Sequence, residues 1–223
     1  MKKLILFIFC LFIYSNSAKA LVEIDITRGN LDPLPIAVSP LYVESGSVDI
    51  KQGDEIIKNV GERIAKVIEV NFKRSGLFNP LKKDSFVQKP DIAHVKPRFE
   101  DWRLIKSQAL VTGKVQVSED KLRVEFRLWD VIAAKEILAL GFSTTPNNWR
   151  RVAHIISDKV YKRLTGEEGY FDTRIIYVSE TGLKTQRYKK LAIMDQDGAN
   201  VKYLTLGNEL VLTPRFSPKN RFV

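Results

Sequence analysis

Two histidines stand in this 223-residue sequence, His94 and His154, and imidazole is the side chain best suited to move a proton near neutral pH. They lie 60 residues apart, whereas zinc ligands come in closely spaced pairs. His94 sits in a proline-rich stretch. His154 falls beside the apolar stripe of a helical segment, not on it, so both read as surface residues rather than catalysts. Asp195, Asp197 and Gly198 mimic part of a calcium loop. Set at its positions 3, 5 and 6, they put Ile193 and Leu204 at positions 1 and 12, where oxygen ligands are required. A tight turn explains the same residues. There is no G-x-S-x-G elbow and no phosphate-cradling P-loop. Trp102, Trp129 and Trp149 could stack on glycans, but each sits in a helical or strand pattern and reads as packing. The basic runs at 149–151, 159–163 and 187–190 read as solvated faces. None of these patterns assembles a catalytic, cofactor-binding or metal-binding set.

The chain opens with Lys2 and Lys3, an 11-residue apolar run over residues 4–14, and SNSAKA with small residues at Ala18 and Ala20. That is the layout of a secretory signal peptide over residues 1–20, cleaved after Ala20. The run is too short for a spanning helix, which needs about 20 residues. The single cysteine, Cys10, lies inside it, so a mature chain from Leu21 makes no disulfide and holds no thiolate-bound metal. An exported, cysteine-free chain suits a bacterial periplasm. Removing Lys2, Lys3 and Lys19 leaves 33 basic against 26 acidic residues. The excess is too modest, and the expected compartment too remote, to argue for nucleic acid; it reads as a basic, solvated surface or one drawn to acidic envelope partners.

Residues 21–35 begin with period-2 alternation: Val22, Ile24 and Ile26 against Glu23, Asp25 and Thr27. Gly29, Asn30, Pro33 and Pro35 then interrupt it. The pattern admits an ordinary first strand, or a flexible tail that adds a strand to a partner's sheet edge. Residues 36–43 read as a buried strand. GDEIIKNVGERIAKVIEVNFKRSG carries Ile56, Ile57, Val60, Ile64, Val67, Ile68 and Phe72 at helical spacing, with Asp54 as the expected cap and Gly76 as the stop. Residues 79–97 read as loop and RFEDWRLIKS as a short helix. ALVTGKVQV, LRVEFRLWD and KEILALGFS form a three-strand meander. After Pro146, a second long helix presents Trp149, Val152, Ile155, Ile156, Val160 and Leu164 on one face and stops at Gly166. Residues 36–168 are therefore expected to form an α/β domain, a mixed sheet with packed helices.

From residue 169 the texture becomes all-β. FDTRIIYVSE, KLAIMD and VKYLTL read as strands, with DQDG a tight turn; ELVLTPRF is a further expected strand. Arg174–Ile176 and Arg221–Val223 match at an offset of 47 residues, the length of one propeller blade. Residues 169–223 thus read as a first blade and the start of a second, and the sequence is expected to belong to a longer protein, cut within the propeller.

The stretches ALVTGKV, LTGEEGYFDTRIIYVSE, KLAIMDQDGANVKYLT and TPRFSPKNRFV, together with this layout, resemble the TolB family of the Tol–Pal system. The resemblance covers essentially the whole chain and is most specific at LTGEEGYFDTRIIYVSE. It implies a non-enzymatic periplasmic protein with an α/β domain and a six-bladed propeller, serving outer-membrane integrity and constriction at division, and subverted by colicins for import. It implies two partners: outer-membrane Pal on the propeller, and inner-membrane TolA on the tail. The tail corresponds here to Leu21 through Asp32, and Leu21, Val22, Glu23, Ile24, Asp25 and Ile26 would carry the strand addition. It further implies that the tail can dock on its own domain when Pal is bound. A second reading from a different class is the front part of an exported, propeller-bearing peptidase whose hydrolase domain lies beyond residue 223.

Overall fold

The computed structural model describes Ile24, residues 32–207 and residues 211–217. The leader, most of the tail and the final strand opening lie outside the described residues. In the first unit, strands β1 (Leu34–Val38), β2 (Tyr42–Val43), β5 (Phe78–Pro80), β6 (Ala109–Val117), β7 (Leu122–Asp130) and β8 (Lys135–Thr144) build one sheet in the order β5-β1-β6-β7-β8, with β2 also paired to β6. The β5, β1, β2 and β6 pairings are parallel and the β6-β7-β8 meander antiparallel, so the sheet is mixed.

The β6–β7 hairpin reverses at 118–121, closed by the Ser118 N–H donating to the Lys121 carbonyl at 2.8 Å. Helices α1 (Val60–Ser75) and α4 (Trp149–Thr165) cover one face. Ile64, Ile68 and Phe72 from α1 and Val152, Ile156, Val160 and Leu164 from α4 close over Val111, Val115, Val124 and Leu128. The period-2 alternation of strands sends neighbouring side chains to opposite faces. Leu110 and Trp129 therefore enter a second, smaller core with Phe99 and Trp102, under the short helices α2 (Pro90–Ala93) and α3 (Phe99–Leu104).

Three expectations need correction. The long helix starts at Val60, not near Asp54. Gly53 adopts φ +60 and turns the chain tightly, so that β3 (Ile50–Gln52) pairs antiparallel with β4 (Glu55–Ile57). Ile57 reaches the core from a strand, while Ile56 is exposed. The stretch 79–97 is not all loop: β5 pairs with β1, and Pro90 opens a helical turn. Beyond the first unit, residues 211–217 contain no strand, although the ELVLTPRF pattern predicts one. Phe216 and Leu212 are exposed there, and alternation without a surface to bury against does not hold a strand.

The second unit is a three-stranded antiparallel sheet, β11-β10-β9, from β9 (Arg174–Leu183), β10 (Gln186–Asp195) and β11 (Lys202–Tyr203). The polar LKTQRYK stretch is part of the long β9–β10 hairpin, with Leu183 opposite Gln186. The DQDG turn forms as the spacing suggests: the Gly198 N–H donates to the Asp195 carbonyl at 2.9 Å, with Gly198 at φ +87. An α/β sheet domain followed by a propeller-like β-hairpin unit is the architecture the sequence implies.

Candidate functional site

The chemistry-bearing residues converge where the second unit meets α1 and α4. Along α4, Arg150, His154, Ser157 and Asp158 form a polar stripe at i, i+4, i+7 and i+8, beside the apolar one. Gly166 ends the helix in a left-handed conformation (φ +79), its N–H donating to the Lys162 carbonyl at 2.9 Å. The chain then passes back across the helix. Gly169 lies so close to Asp158 that a Cβ there would collide with it. Asp158 accepts the backbone N–H groups of Phe171 at 2.6 Å and Asp172 at 3.0 Å. Burial raises its carboxyl above the ordinary range, against the pull of those two hydrogen bonds. Phe171, fully buried, meets Phe72, Tyr161 and Tyr170 edge-on or tilted. Arg151 grips both oxygens of Asp172 at 3.2 Å, which raises the guanidinium pKa further.

The DQDG turn supplies the other half. Asp197, with a side chain only 5 % exposed, pairs with Arg150 and accepts the Ala199 N–H at 3.1 Å. Burial alone would raise its carboxyl, but that hydrogen bond and the Arg150 charge hold it below its usual value. Gln196 donates through Nε2 to Asn71 Oδ1 at 3.2 Å, and its carbonyl accepts from Arg74 at 2.9 Å. The turn is thereby tied to both long helices of the first unit.

His154 is 2 % exposed, not a surface residue. Its place off the apolar stripe reflects a polar neighbourhood, and only the tertiary partner shows that the neighbourhood is buried. The donors around it fix its state. Ser157 Oγ donates to the Ala153 carbonyl at 2.9 Å and so accepts from Asn71 Nδ2, also at 2.9 Å. The second hydrogen of that amide points at His154 Nδ1, 3.0 Å away. Nδ1 is therefore the bare acceptor and Nε2 carries the proton. Nε2 faces Asp197 Oδ2 at 3.6 Å, beyond hydrogen-bond reach. Burial lowers the His154 pKa and Arg150 lowers it further, partly offset by Asp197, Asp195 and Asp172.

His154, Asp195 and Asp197 place candidate ligand atoms within 4.8 Å of one another. A protonated Nε2 has no lone pair to offer, and Arg150 already neutralises Asp197. The donor set is an ion-pair clasp, not a cation cage. A cleft of about 320 Å³ opens over it, lined by Gln52, Arg151, Asp172, Arg174 and Lys202, with His154 at its wall.

The other residues weighed in the sequence fall elsewhere. His94 stacks on Tyr42 with ring centroids 4.6 Å apart and has its Nδ1 at 3.0 Å from the Pro90 carbonyl. Trp102, Trp129 and Trp149 are buried, with indole N–H groups donating to Gln88, Thr112 and Gln52. Of the six tail residues, Leu21, Val22, Glu23, Asp25 and Ile26 lie outside the described residues. Ile24 is buried in the main core, and its N–H donates to the Leu164 carbonyl at 2.7 Å, one of the terminal carbonyls that α4 leaves without an intrahelical partner. Arg150, read within the basic run 149–151 as part of a solvated face, is instead drawn half-buried onto Asp197 of the turn; Asn71, Asp158 and Asp172 were not singled out by sequence reasoning. The i, i+4, i+8 polar stripe on α4 was the available signal. Among the described residues no helix is long and apolar enough to cross a membrane.

Comparison with known proteins gives consistent matches. Residues 22–137 match the TolB amino-terminal domain and residues 161–223 the TolB beta propeller domain. The Tol-Pal system protein TolB of Pelagibacter ubique (strain HTCC1062) is 65 % identical over 99 % of this chain, which corresponds to 50 % of that protein. The chain thus spans about half the length of the curated relative it matches. The crystal structure of TolB from Acinetobacter baumannii superposes with a TM-score of 0.65 at 23 % identity, over 82 % of this chain and 41 % of that one, and shows the shared fold.

Proposed function

This chain belongs to the TolB family, and we propose on that premise that it serves a Tol–Pal system as a non-enzymatic periplasmic interaction protein. In this reading the segment Leu21–Asp32 is a tether for inner-membrane TolA, and the β-propeller portion faces outer-membrane Pal. The link supports outer-membrane integrity and its constriction at division.

The observation that carries this reading is the seat of Ile24. The residue is 9 % exposed and its backbone N–H is held by a helix-terminal carbonyl. A period-2 segment that already uses a main-chain donor and an apolar side chain to dock on its own domain has what strand addition to another protein's sheet edge requires. The two seats compete for the same residue. Occupation of the Leu164 site withholds the tail, and release offers it. Affinity for the partner is modest, because the tail must be ordered on binding.

Strand addition is tested by removing main-chain donors. Chains with Ile24→Pro and Asp25→Pro, whose N–H groups point to opposite edges of an extended segment, are titrated with the C-terminal domain of TolA, labelled for fluorescence anisotropy. Proline cannot donate to a ladder. A loss of roughly 5- to 30-fold in affinity is expected in at least one of the two, one or two backbone hydrogen bonds at about 1 kcal/mol each. Unchanged affinity in both variants would remove the tail from the interface.

A further inference from the structure

The clasp contains a buried imidazole whose two nitrogens are committed in opposite senses. Nδ1 accepts from Asn71, which is fixed as the donor by Ser157 and, through its Oδ1, by Gln196. Nε2–H faces Asp197. A second proton can enter only at Nδ1, directly against the Asn71 amide hydrogen. Two donors would then face each other at 3.0 Å. The amide would have to turn over. That would present its NH2 to the Gln196 Nε2 donor and its oxygen to Ser157 Oγ, whose proton is spent on Ala153. The reversal cannot stop there: Ser157 must give up the Ala153 carbonyl and Gln196 must turn its own amide, so the tie between α1 and the DQDG turn is broken before it can re-form in the opposite sense.

We propose that His154 is an acid-sensitive pin: its protonation at Nδ1 breaks the Ser157–Asn71–Gln196 relay and frees the turn at 195–199, and with it the β-hairpin unit, from α1 and α4. This concerns the junction alone and stands whether or not the tail binds TolA. The groups around the ring are known. From its own helix come Arg150, Ser157 and Asp158; from α1, Asn71; from the linker, Asp172; from β10 and its turn, Asp195 and Asp197. The carboxylates favour the imidazolium, while burial and Arg150 oppose it. Asp197 is committed to Arg150 and lies on the Nε2 side, so it compensates the charge without relieving the clash at Nδ1.

The direction with pH follows from linkage. The imidazole is harder to protonate in the closed junction than in the open one. The contribution of neutral His154 to closure is therefore complete above its ordinary pKa of 6.5 and is lost as pH falls from there through the lower value of the closed state. Within that window opening rises by up to about tenfold per pH unit.

Hydrogen exchange by mass spectrometry between pH 7.5 and 5, corrected for intrinsic rates, reads this opening. Protection of the amides at 195–199 and 171–172 is expected to fall on acidification by about that factor, with the β6–β7 amides unmoved. His154→Gln, whose Oε1 can accept from Asn71 but takes up no proton, is expected to show flat protection. Undiminished protection of the junction in acid, or an acid response that survives His154→Gln, would overturn the proposal. Nitrogen-15 spectra of the histidine rings in the unaltered chain supply a test independent of that variant's folding. A bare Nδ1 and protonated Nε2 for His154 at pH 7.5 are expected, and the opposite tautomer would refute the relay.

Discussion

Replacing Asp197 by alanine tests how the two units are held together. Its carboxylate makes two bonds that the substitution removes: the ion pair with Arg150 and the acceptor for the Ala199 N–H. Both are bonds to a carboxylate: a hydrogen bond to a charged group contributes about 1.5–3 kcal/mol, and the one from the Ala199 N–H, at a part-exposed turn, nearer to about 1 kcal/mol. The Arg150 side chain is 25 % exposed, so water partly solvates the stranded guanidinium and the charged bond falls at the low end of its range. The expected cost of Asp197→Ala is about 2–3 kcal/mol. Much of it should appear as local opening of the hairpin unit rather than global unfolding, because the lost contacts all lie at the junction. Hydrogen exchange at neutral pH is therefore the assay. Protection at 195–199 should drop by roughly 30- to 150-fold, the equivalent of that energy, with little change in the β6–β7 hairpin. A cycle with Arg150→Ala isolates the pair, and a coupling of at least about 1 kcal/mol is expected. A change below about 0.5 kcal/mol in the single variant, or strict additivity in the cycle, would refute the clasp as described.

Two further perturbations probe the frame around the clasp. Gly61→Ala sets a methyl group against the Leu41 carbonyl, backbone that cannot rotate away; a loss of about 1–3 kcal/mol in urea unfolding is expected. Asp158→Asn offers one oxygen to the two N–H groups of Phe171 and Asp172 and turns an amide donor toward the other; a loss of about 1–3 kcal/mol, with protection lost first at 171–172, is expected by hydrogen exchange at neutral pH.

The meander and α4 were legible because each signal was local and unopposed. The strands alternate cleanly, SEDK turns between two of them, and Gly166 stops the helix where the apolar periodicity ends. The start of α1 was not legible. Ile56 and Ile57 fall in phase with the helical stripe by coincidence, and the left-handed Gly53 that converts the region to a hairpin looks in sequence like any glycine near a helix cap. The three-residue β5 contains Asn79 and Pro80, and exists because β1 offers it a parallel edge. For the site, the DQDG turn was readable but its role was not. Whether Asp197 ends in water or against Arg150 and His154 depends on how the hairpin unit sits on α4, a contact 47 residues distant in sequence. The same holds for His154, whose burial is tertiary information.

The family assignment rests on the whole chain, but the functional reading turns on the tail. Calorimetric titration of the C-terminal domain of TolA into the chain beginning at Leu21, and into one beginning at Pro33, tests it most directly. The account predicts measurable binding by the first and none by the second, each sample showing the same circular dichroism. Equal binding by both would place the partner site on the folded units and contradict the assignment of Leu21–Asp32 as the tether.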